Sequence, residues 1–511
     1  MVGSISFSQF PANWKIPLHW VEVDSSRAGL PSQDSSALIM GTRKGGSAAS
    51  DVPTAIGSAA EGAALFGAGS QIARMISAFL ANNAVQTLYA AGVDEPSSGT
   101  AATGRIDVTT APTDAGVLNL YIAGQLVRVS VAASDTASGL AAKIAAAVNA
   151  LTSLPVTAAQ GTDSNNYKVT LTCKWKGATG NDIMIQDSLL GSAGGQSLPG
   201  GLVLTYTAMT GGVGTPDLTD VIANMADEDY KFLAHPFVDS GSLGVTDTEY
   251  GFSDSGRWGF LRQLYGAVYS AERAAFATLM TNGAARNYAT TTIMAFEPAT
   301  PSPMWEMAAA YAARASRALT NDPARPLQTL EFDGVMSAGR GARFTKTQVN
   351  QLASVGYATQ MVSANGRPMI VRESTCYQRN IYGVSDDAYE LVTTLFTLSS
   401  LFERQRHAIT SKFPRHKLAD DGTRFGAGQA IVTPKIIKAE LVAQYAQDEY
   451  AGLVENMKAF KENLLVQRDP DNPNRVSVLY PPDLINQLRI FAVLAQFRLS
   501  YDRGAAASMT A

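Results

Sequence analysis

Residues 35–94 spell strand, helix, strand, and the same grammar returns at residue 216 after a stretch that follows a different period. This interruption constrains the fold more than any single motif. The segment "SSALIMGTRKGG" (35–46) is a buried-type strand ending in a glycine-rich turn. In "AEGAALFGAGSQIARMISAFLANN" (60–83), Ile72, Met75, Ile76, Phe79 and Leu80 share one helical face. "VQTLYAAGVD" (85–94) is the next strand. Strand, helix, strand predicts a parallel α/β layer. After residue 216 the pattern resumes with helical "PDLTDVIANMAD", buried-strand "YKFLAHPF", strands in "RWGFLRQLYGAVYS" and "TTTIMAFEPA", and a helix over 302–319 begun by Ser302-Pro303. "GYATQMVSANGRPMIVRESTCY" (356–377) is a hairpin turning at Asn365-Gly366.

Between these halves, residues 101–214 hold only 12 charged side chains and alternate with period 2, as in "VLNLYIAGQLVRVSV" and "YKVTLTCKW". The "AGQ" within the first run is a hairpin turn around Gly124, and one helix (136–151) begins at a Thr136 or Ser138 cap. The expectation is a β-rich domain inserted into a discontinuous α/β domain made of 31–100 and 215–380. Residues 381–487 read as a separate α+β unit, with amphipathic helices over 387–409 and from Thr433-Pro434 and a strand over 474–482.

Both ends of the chain read as strands without a local mate. In "KIPLHWVEVDSS" (15–26), Ile16, Leu18 and Trp20 form one face and Val21 and Val23 the other. The slip between Trp20 and Val21 means a bulge or burial on both faces. In "RIFAVLAQFRLSY" (489–501), Phe491, Val493, Ala495, Phe497 and Leu499 face one way. Residues 1–30 and 488–511 are therefore set apart as terminal arms whose partner strand is not local.

The chain has 511 residues, room for two to four domains, and a net charge of −4 that gives no bias toward nucleic acid. Cys173 and Cys376 show no metal-binding spacing and read as reduced thiols. No secretory signal pattern and no run of about 18 apolar residues is present, so no membrane insertion is expected. No metal or cofactor motif emerges, and the expectation is a protein that is not an enzyme. The histidines His19, His235, His407 and His416 belong to no nucleophile or metal motif. "GTRKGGS" (41–47) lacks the ending of a phosphate loop and reads as a turn, and "DED" (227–229) as a solvated helix end. The run "ERQRHAITSKFPRHK" (403–417) sets Arg404, Arg406, Lys412, Arg415 and Lys417 against Glu403. It is either a helix C-terminus carrying favourable cations or a docking surface for an acidic partner.

Several stretches carry a family resemblance: "IPLHWVEVDSSRA", "LYIAGQLVRVSVAASDTA", "AMTGGVGTPDL", "RWGFLRQLYGAVYSA", "ITSKFPRHKLADDGTRFGAGQAIVTPKIIKAELVA" and "NPNRVSVLYPPDLINQLRIFAVLAQFRL". With these the chain resembles contractile phage tail sheath proteins of the Mu-like branch over essentially its full length. The resemblance implies a subtilisin-like α/β core without a protease triad, the inserted domain on the outside, and residues 381–487 facing a tail tube. It implies hexameric rings stacked in a helical polymer, joined by strand exchange through both arms, that contracts to drive the tube through the bacterial envelope. The implied partners are further copies, the tube, baseplate and terminator proteins; the implied location is the virion tail, assembled in the host cytoplasm. The five cations of the basic run are the expected tube contacts. The alternatives are the sheath of a headless tail-like bacteriocin, an adhesive role for the insert, and a hydrolase on the same scaffold, for which His235 is the only histidine in the α/β part.

Overall fold

A computed structural model describes residues 35–497 and 499. The N-terminal arm, with Ile16, Leu18, Trp20, Val21 and Val23, lies outside the described residues, so the Trp20–Val21 slip does too.

All seven residues of β1 (Ser36–Thr42) are buried, which places this strand at the centre of a sheet rather than an edge. Its neighbours are β3 (Thr87–Val93) on one side and β11 (Tyr230–Ala234) on the other, both parallel. Beyond β11 follow β12 (Ala267–Arg273) and β13 (Thr291–Phe296), also parallel, while the short β2 (Thr54–Ile56) closes the far edge antiparallel to β3. The predicted α/β layer is thus one six-stranded sheet in which strands before the insertion and strands after it lie side by side. The helix α7 (Met304–Asn321) is buried along most of its length against this sheet and α2.

One predicted helix is two. The chain forms α1 (Ala59–Phe66) and α2 (Gln71–Asn82), broken at Gly67 and Gly69, which have φ of 89° and 73°. A Cβ at Gly67 would sit 1.9 Å from the Lys44 carbonyl oxygen, so only glycine passes there. Ser70 then caps α2 by accepting from the Ala73 N–H. The amphipathic period ran through this break because both helices face the same core.

The low-charge stretch folds into two sheets. One is four-stranded, in the order β10 (Val203–Thr210), β4 (Ala101–Thr110), β8 (Lys168–Lys176), β7 (Val156–Gln160). The other orders β6 (Gln125–Val131), β5 (Gly116–Ile122), β9 (Ile185–Asp187). The turn between β5 and β6 has Ala123 and Gly124 both at positive φ, the two-residue form that matches strand twist. The helix α3 (Ala137–Ala150) takes Thr136 as its cap and buries Leu140, Ile144 and Val148. The apolar interior of this region is continuous with that of the α/β sheet: Trp175 of β8 meets Trp305 of α7 edge to face at 5.3 Å. Beside this contact Arg74 of α2 donates to Glu306, Gln125 and the Ala123 and Ser153 carbonyls.

The remaining helices of the α/β part are α4 (Thr219–Met225), α5 (Ser240–Tyr250), α6 (Phe276–Ala285) and α8 (Lys346–Ser354). The predicted hairpin forms as β14 (Thr359–Val362) and β15 (Pro368–Arg372), with Gly366 at φ 78°. Its flanks cover the β13 edge, since the Ala295 N–H donates to the Ala358 carbonyl and the Cys376 N–H to the Thr291 carbonyl. The C-terminal part contains α9 (Val392–Lys412), a two-residue parallel bridge of β16 (Lys417–Leu418) with β17 (Ile431–Val432), α10 (Pro434–Tyr450) and α11 (Met457–Asn463). It ends in the two-stranded hairpin β18 (Leu465–Arg468) and β19 (Val476–Leu479). A separate small core holds these elements together, centred on Tyr445 stacked on Phe460 at 3.7 Å.

Candidate assembly interface

The end of the chain is docked up to a definite point and then let go. The Ile485 N–H donates to the Leu453 carbonyl at 3.1 Å, and the Glu455 N–H to the Asp483 carbonyl at 2.9 Å. The Gln487 amide donates to the Ala324 carbonyl. At Arg489 the guanidinium clamps the Glu373 carboxylate with both terminal nitrogens, one at 2.9 Å. Glu373 is fully buried and Arg489 nearly so. After this pair, packing stops. Ile490, Phe491, Val493, Leu494, Phe497 and Leu499 are 68–96% exposed, and residues 490–497 join no strand among the described residues. Ala495 is exposed in the same stretch. Leaving this much apolar side chain in water is unfavourable by about 1.5–3 kcal/mol per large residue.

Close in sequence to this tail lies a sheet with room for it. The β18–β19 hairpin has no third strand among the described residues. Leu465 and Leu479 are exposed on it, and both outer edges keep free main-chain groups. A two-stranded hairpin is marginal in water and gains from added strands. In the six-stranded sheet one edge is short, at β2, and the other is covered, at β13.

The basic run divides in two. Arg404 pairs with the fully buried Asp448 of α10 at 2.7 Å, and Lys412 pairs with Glu440 of α10. These two cations tie α9 to α10 within the chain, and Lys412 stays exposed while doing so. An acidic residue on a facing helix satisfies each, and no spacing within 403–417 signals it. Lys417 donates to the Gln429 side chain at 3.2 Å. Arg406, Arg415 and Lys417 are exposed and make no ion pair among the described residues. Glu403 reaches the other way, to Lys231 of β11 at 2.7 Å, on the wall of a cleft of about 620 Å³ between α9, α10 and the α/β sheet.

Of the other residues singled out in the sequence, His19 lies outside the described residues and His407 and His416 are exposed. His235 is fully buried, its Nδ1 accepts from the Phe237 N–H at 3.2 Å, and burial holds its pKa down to about 4. It faces no carboxylate within hydrogen-bonding distance. The "GTRKGGS" loop turns its main chain toward α1, with the Lys44 N–H on the Phe66 carbonyl and the Ala48 N–H on the Leu65 carbonyl. Of "DED", Asp227 pairs with Arg262 at 2.9 Å, while burial pushes the Asp229 carboxyl up. Cys173 and Cys376 are free and buried, and desolvation raises each thiol to about 12. No group of three or more metal-ligating side chains occurs among the described residues, and none of their helices is long and apolar enough to cross a membrane.

An exposed apolar tail, a two-stranded hairpin, buried thiols and a sequestered histidine are what the described residues present. Comparison with known proteins names the class. Residues 211–376 match the phage tail sheath protein central domain and residues 384–498 the phage tail sheath C-terminal domain. The chain is 38% identical over 499 residues to the Mu-like prophage FluMu tail sheath protein of Haemophilus influenzae, covering 97% of this chain and 100% of that protein. The chain belongs to the phage tail sheath protein family. Among solved structures, the sheath tail protein of Desulfitobacterium hafniense aligns at a TM-score of 0.46 and 12% identity, over 93% of this chain and 97% of that one. A chain of the anti-feeding prophage baseplate aligns at a TM-score of 0.47 and 9% identity, over 95% and 100%.

Proposed function

We propose that the chain is the subunit of a contractile tail sheath, polymerised as stacked hexameric rings around a tail tube and joined by strands that one copy lends to another. The observation that carries this reading is the change at Arg489, from a segment hydrogen-bonded to its own fold to a run of exposed apolar residues. In the assembly Phe491, Val493, Ala495, Phe497 and Leu499 would lie along the β18–β19 hairpin of another copy. The N-terminal residues Ile16, Leu18, Trp20, Val21 and Val23 would act in the same way.

The energetics suit a lattice rather than a dimer. Burying five such side chains gains about 8–15 kcal/mol. Ordering ten residues costs on the order of 10–20 kcal/mol of backbone entropy. One arm alone therefore breaks even before its hydrogen bonds are counted, and repetition makes each later contact effectively intramolecular. A head-to-tail contact that does not close generates a filament.

The mainly parallel sheet is compatible with a subtilisin-like core. Residues 101–214 take the outer position and residues 381–487 the inner one, where Arg406, Arg415 and Lys417 meet an acidic tube. Surface pairs of this kind contribute about 0–1 kcal/mol each and are screened by salt, a grip that can release ring by ring during contraction. Baseplate and terminator proteins cap the two ends of the polymer, on a virion tail assembled in the host cytoplasm. Electron microscopy of a chain ending at Arg489 tests the strand-exchange reading. It should stay folded and soluble without forming tubes; tubes of normal length would overturn the reading.

A further inference from the structure

A second exposed apolar feature lies far from either terminus. The loop 377–387 displays Ile381 at 92%, Tyr382 at 82% and Val384 at 60% exposure. This loop is built, not loose. The Asn380 N–H donates to the Val384 carbonyl and the Gly383 N–H to the Asn380 carbonyl, both at 2.9 Å. The Asn380 side chain accepts from the Tyr382 and Val384 N–H groups, and Arg379 bridges Ser385 across the base. Three large apolar side chains are thus held out in water on a fixed scaffold, which is how interface hot spots are presented. Tyr377 and Tyr389 meet edge to face at the loop, and the aromatic contacts continue through Phe252 to Trp258, so a neighbouring loop carrying exposed Phe260 and Leu261 shares the same support.

The position of the loop gives its partner. It sits at the carboxyl ends of α6 and α8: Gln378 donates to the Gly283 and Arg286 carbonyls, and Ala353, Ser354 and Gly356 share a cleft with Asp386 and Asp387. The amino ends of the same two helices meet at the other pole, where Phe276 contacts Phe344 and Thr345 caps α8. That pole carries Arg340, Arg343 and Lys346, which form no ion pair among the described residues. Ten residues of helix separate the poles by about 15 Å. So acid and apolar side chains stand at one end of a helix pair and three cations at the other. The exposed Asp387 and Lys346 are placed against the helix dipoles, which favour acids at amino ends and bases at carboxyl ends, whereas the buried Glu297, which accepts from the Phe344 N–H, gives the amino pole one acid of the favourable sign. Arg379, which reaches the Ala284 carbonyl, and Arg286, which ends α6 and pairs with Glu272, are the charges of the knob pole with the favourable sign. Asp387 and Lys346 do not serve their own helices.

We propose that the Ile381–Val384 knob, with Asp387 beside it, docks on the Arg340–Lys346 loop of a second copy, a head-to-tail contact between subunits separate from strand exchange. It rests on the reading of the chain as a self-assembling subunit and adds a side-chain interface to it. Opposite poles of one helix pair make a heterologous contact, which closes into a ring or propagates as a filament according to its rotation.

The test is the assembly threshold of the full chain, measured by sedimentation and electron microscopy. The variant Ile381→Ala with Tyr382→Ala, both exposed, should keep the wild-type melting temperature and raise the threshold by on the order of 30-fold. Asp387→Lys and Arg340→Asp should each raise it by about 3-fold, and the two together should return to within about 2-fold of wild type. An unchanged threshold for the alanine pair overturns the proposal, as does a charge pair that fails to recover. Alanine-pair tubes of wild-type yield alongside a failed Arg489-terminated chain would remove this contact and leave strand exchange standing. The reverse pattern would remove strand exchange alone.

Discussion

Arg489 is the hinge on which the lent strand turns, and its removal has a calculable effect. In Arg489→Ala the buried Glu373 carboxylate loses two charge-assisted hydrogen bonds. What remains is long: the Leu327 N–H and the Thr393 hydroxyl each stand 3.4 Å away. Breaking one side of a buried ion pair costs about 3–5 kcal/mol because a charge is left uncompensated. Fraying of residues 483–489 would admit water to Glu373 and put the loss at the lower end, about 3 kcal/mol. Replacing both partners, Glu373→Gln with Arg489→Met, removes the stranded charge and should restore stability to within about 1.5 kcal/mol of wild type. Urea denaturation of the unassembled chain reads both values, and limited proteolysis after residue 480 reads where the loss is spent. A loss under about 1 kcal/mol for Arg489→Ala, or a double variant no more stable than the single, would refute the reasoning.

Other substitutions separate structural from assembling residues. Arg404→Glu should destabilise the fold by about 2–4 kcal/mol by stranding buried Asp448, whereas Arg406→Glu should stay within about 0.5 kcal/mol and weaken tube binding instead; denaturation and co-sedimentation with tubes across a salt series distinguish them. Trp305→Ala should cost about 3–5 kcal/mol and uncouple the insert from the α/β sheet, visible as two calorimetric transitions. His235 is held neutral, its pKa lowered from 6.5 to about 4, so the unfolded chain binds the extra proton between these values. Its contribution to stability is complete above pH 6.5 and is lost as pH falls toward 4, by at most about 3 kcal/mol. A His235→Gln variant should show a flatter stability profile over that window. Removing residues 1–24 should leave a soluble subunit that forms no tubes by electron microscopy.

The order of elements was legible because period and punctuation are local. The all-apolar run of β1, the alternation of β4 to β8 and the Asn365-Gly366 turn each follow from side chains a few residues apart. The break at Gly67 and Gly69 was missed because amphipathicity counts the faces of side chains, while the break depends on Lys44 filling the space a Cβ would need. The ion pairs of the interface were invisible for a related reason. Arg404 and Asp448, or Glu373 and Arg489, are separated by 44 and 116 residues, and charge alone does not say which cation meets water and which meets an acid.

By itself the sequence determined the interrupted α/β pattern, the β-rich insert, the apolar alternation of both ends and the family resemblance. These are properties of neighbouring residues and survive without coordinates. Only the tertiary structure decided that β1 pairs with both β3 and β11, that two of the five cations of the basic run pair with acids of α10, and that packing ends at Arg489. Each of those depends on which distant groups are brought within a few ångströms, where burial turns an ordinary charge into one that must be paired.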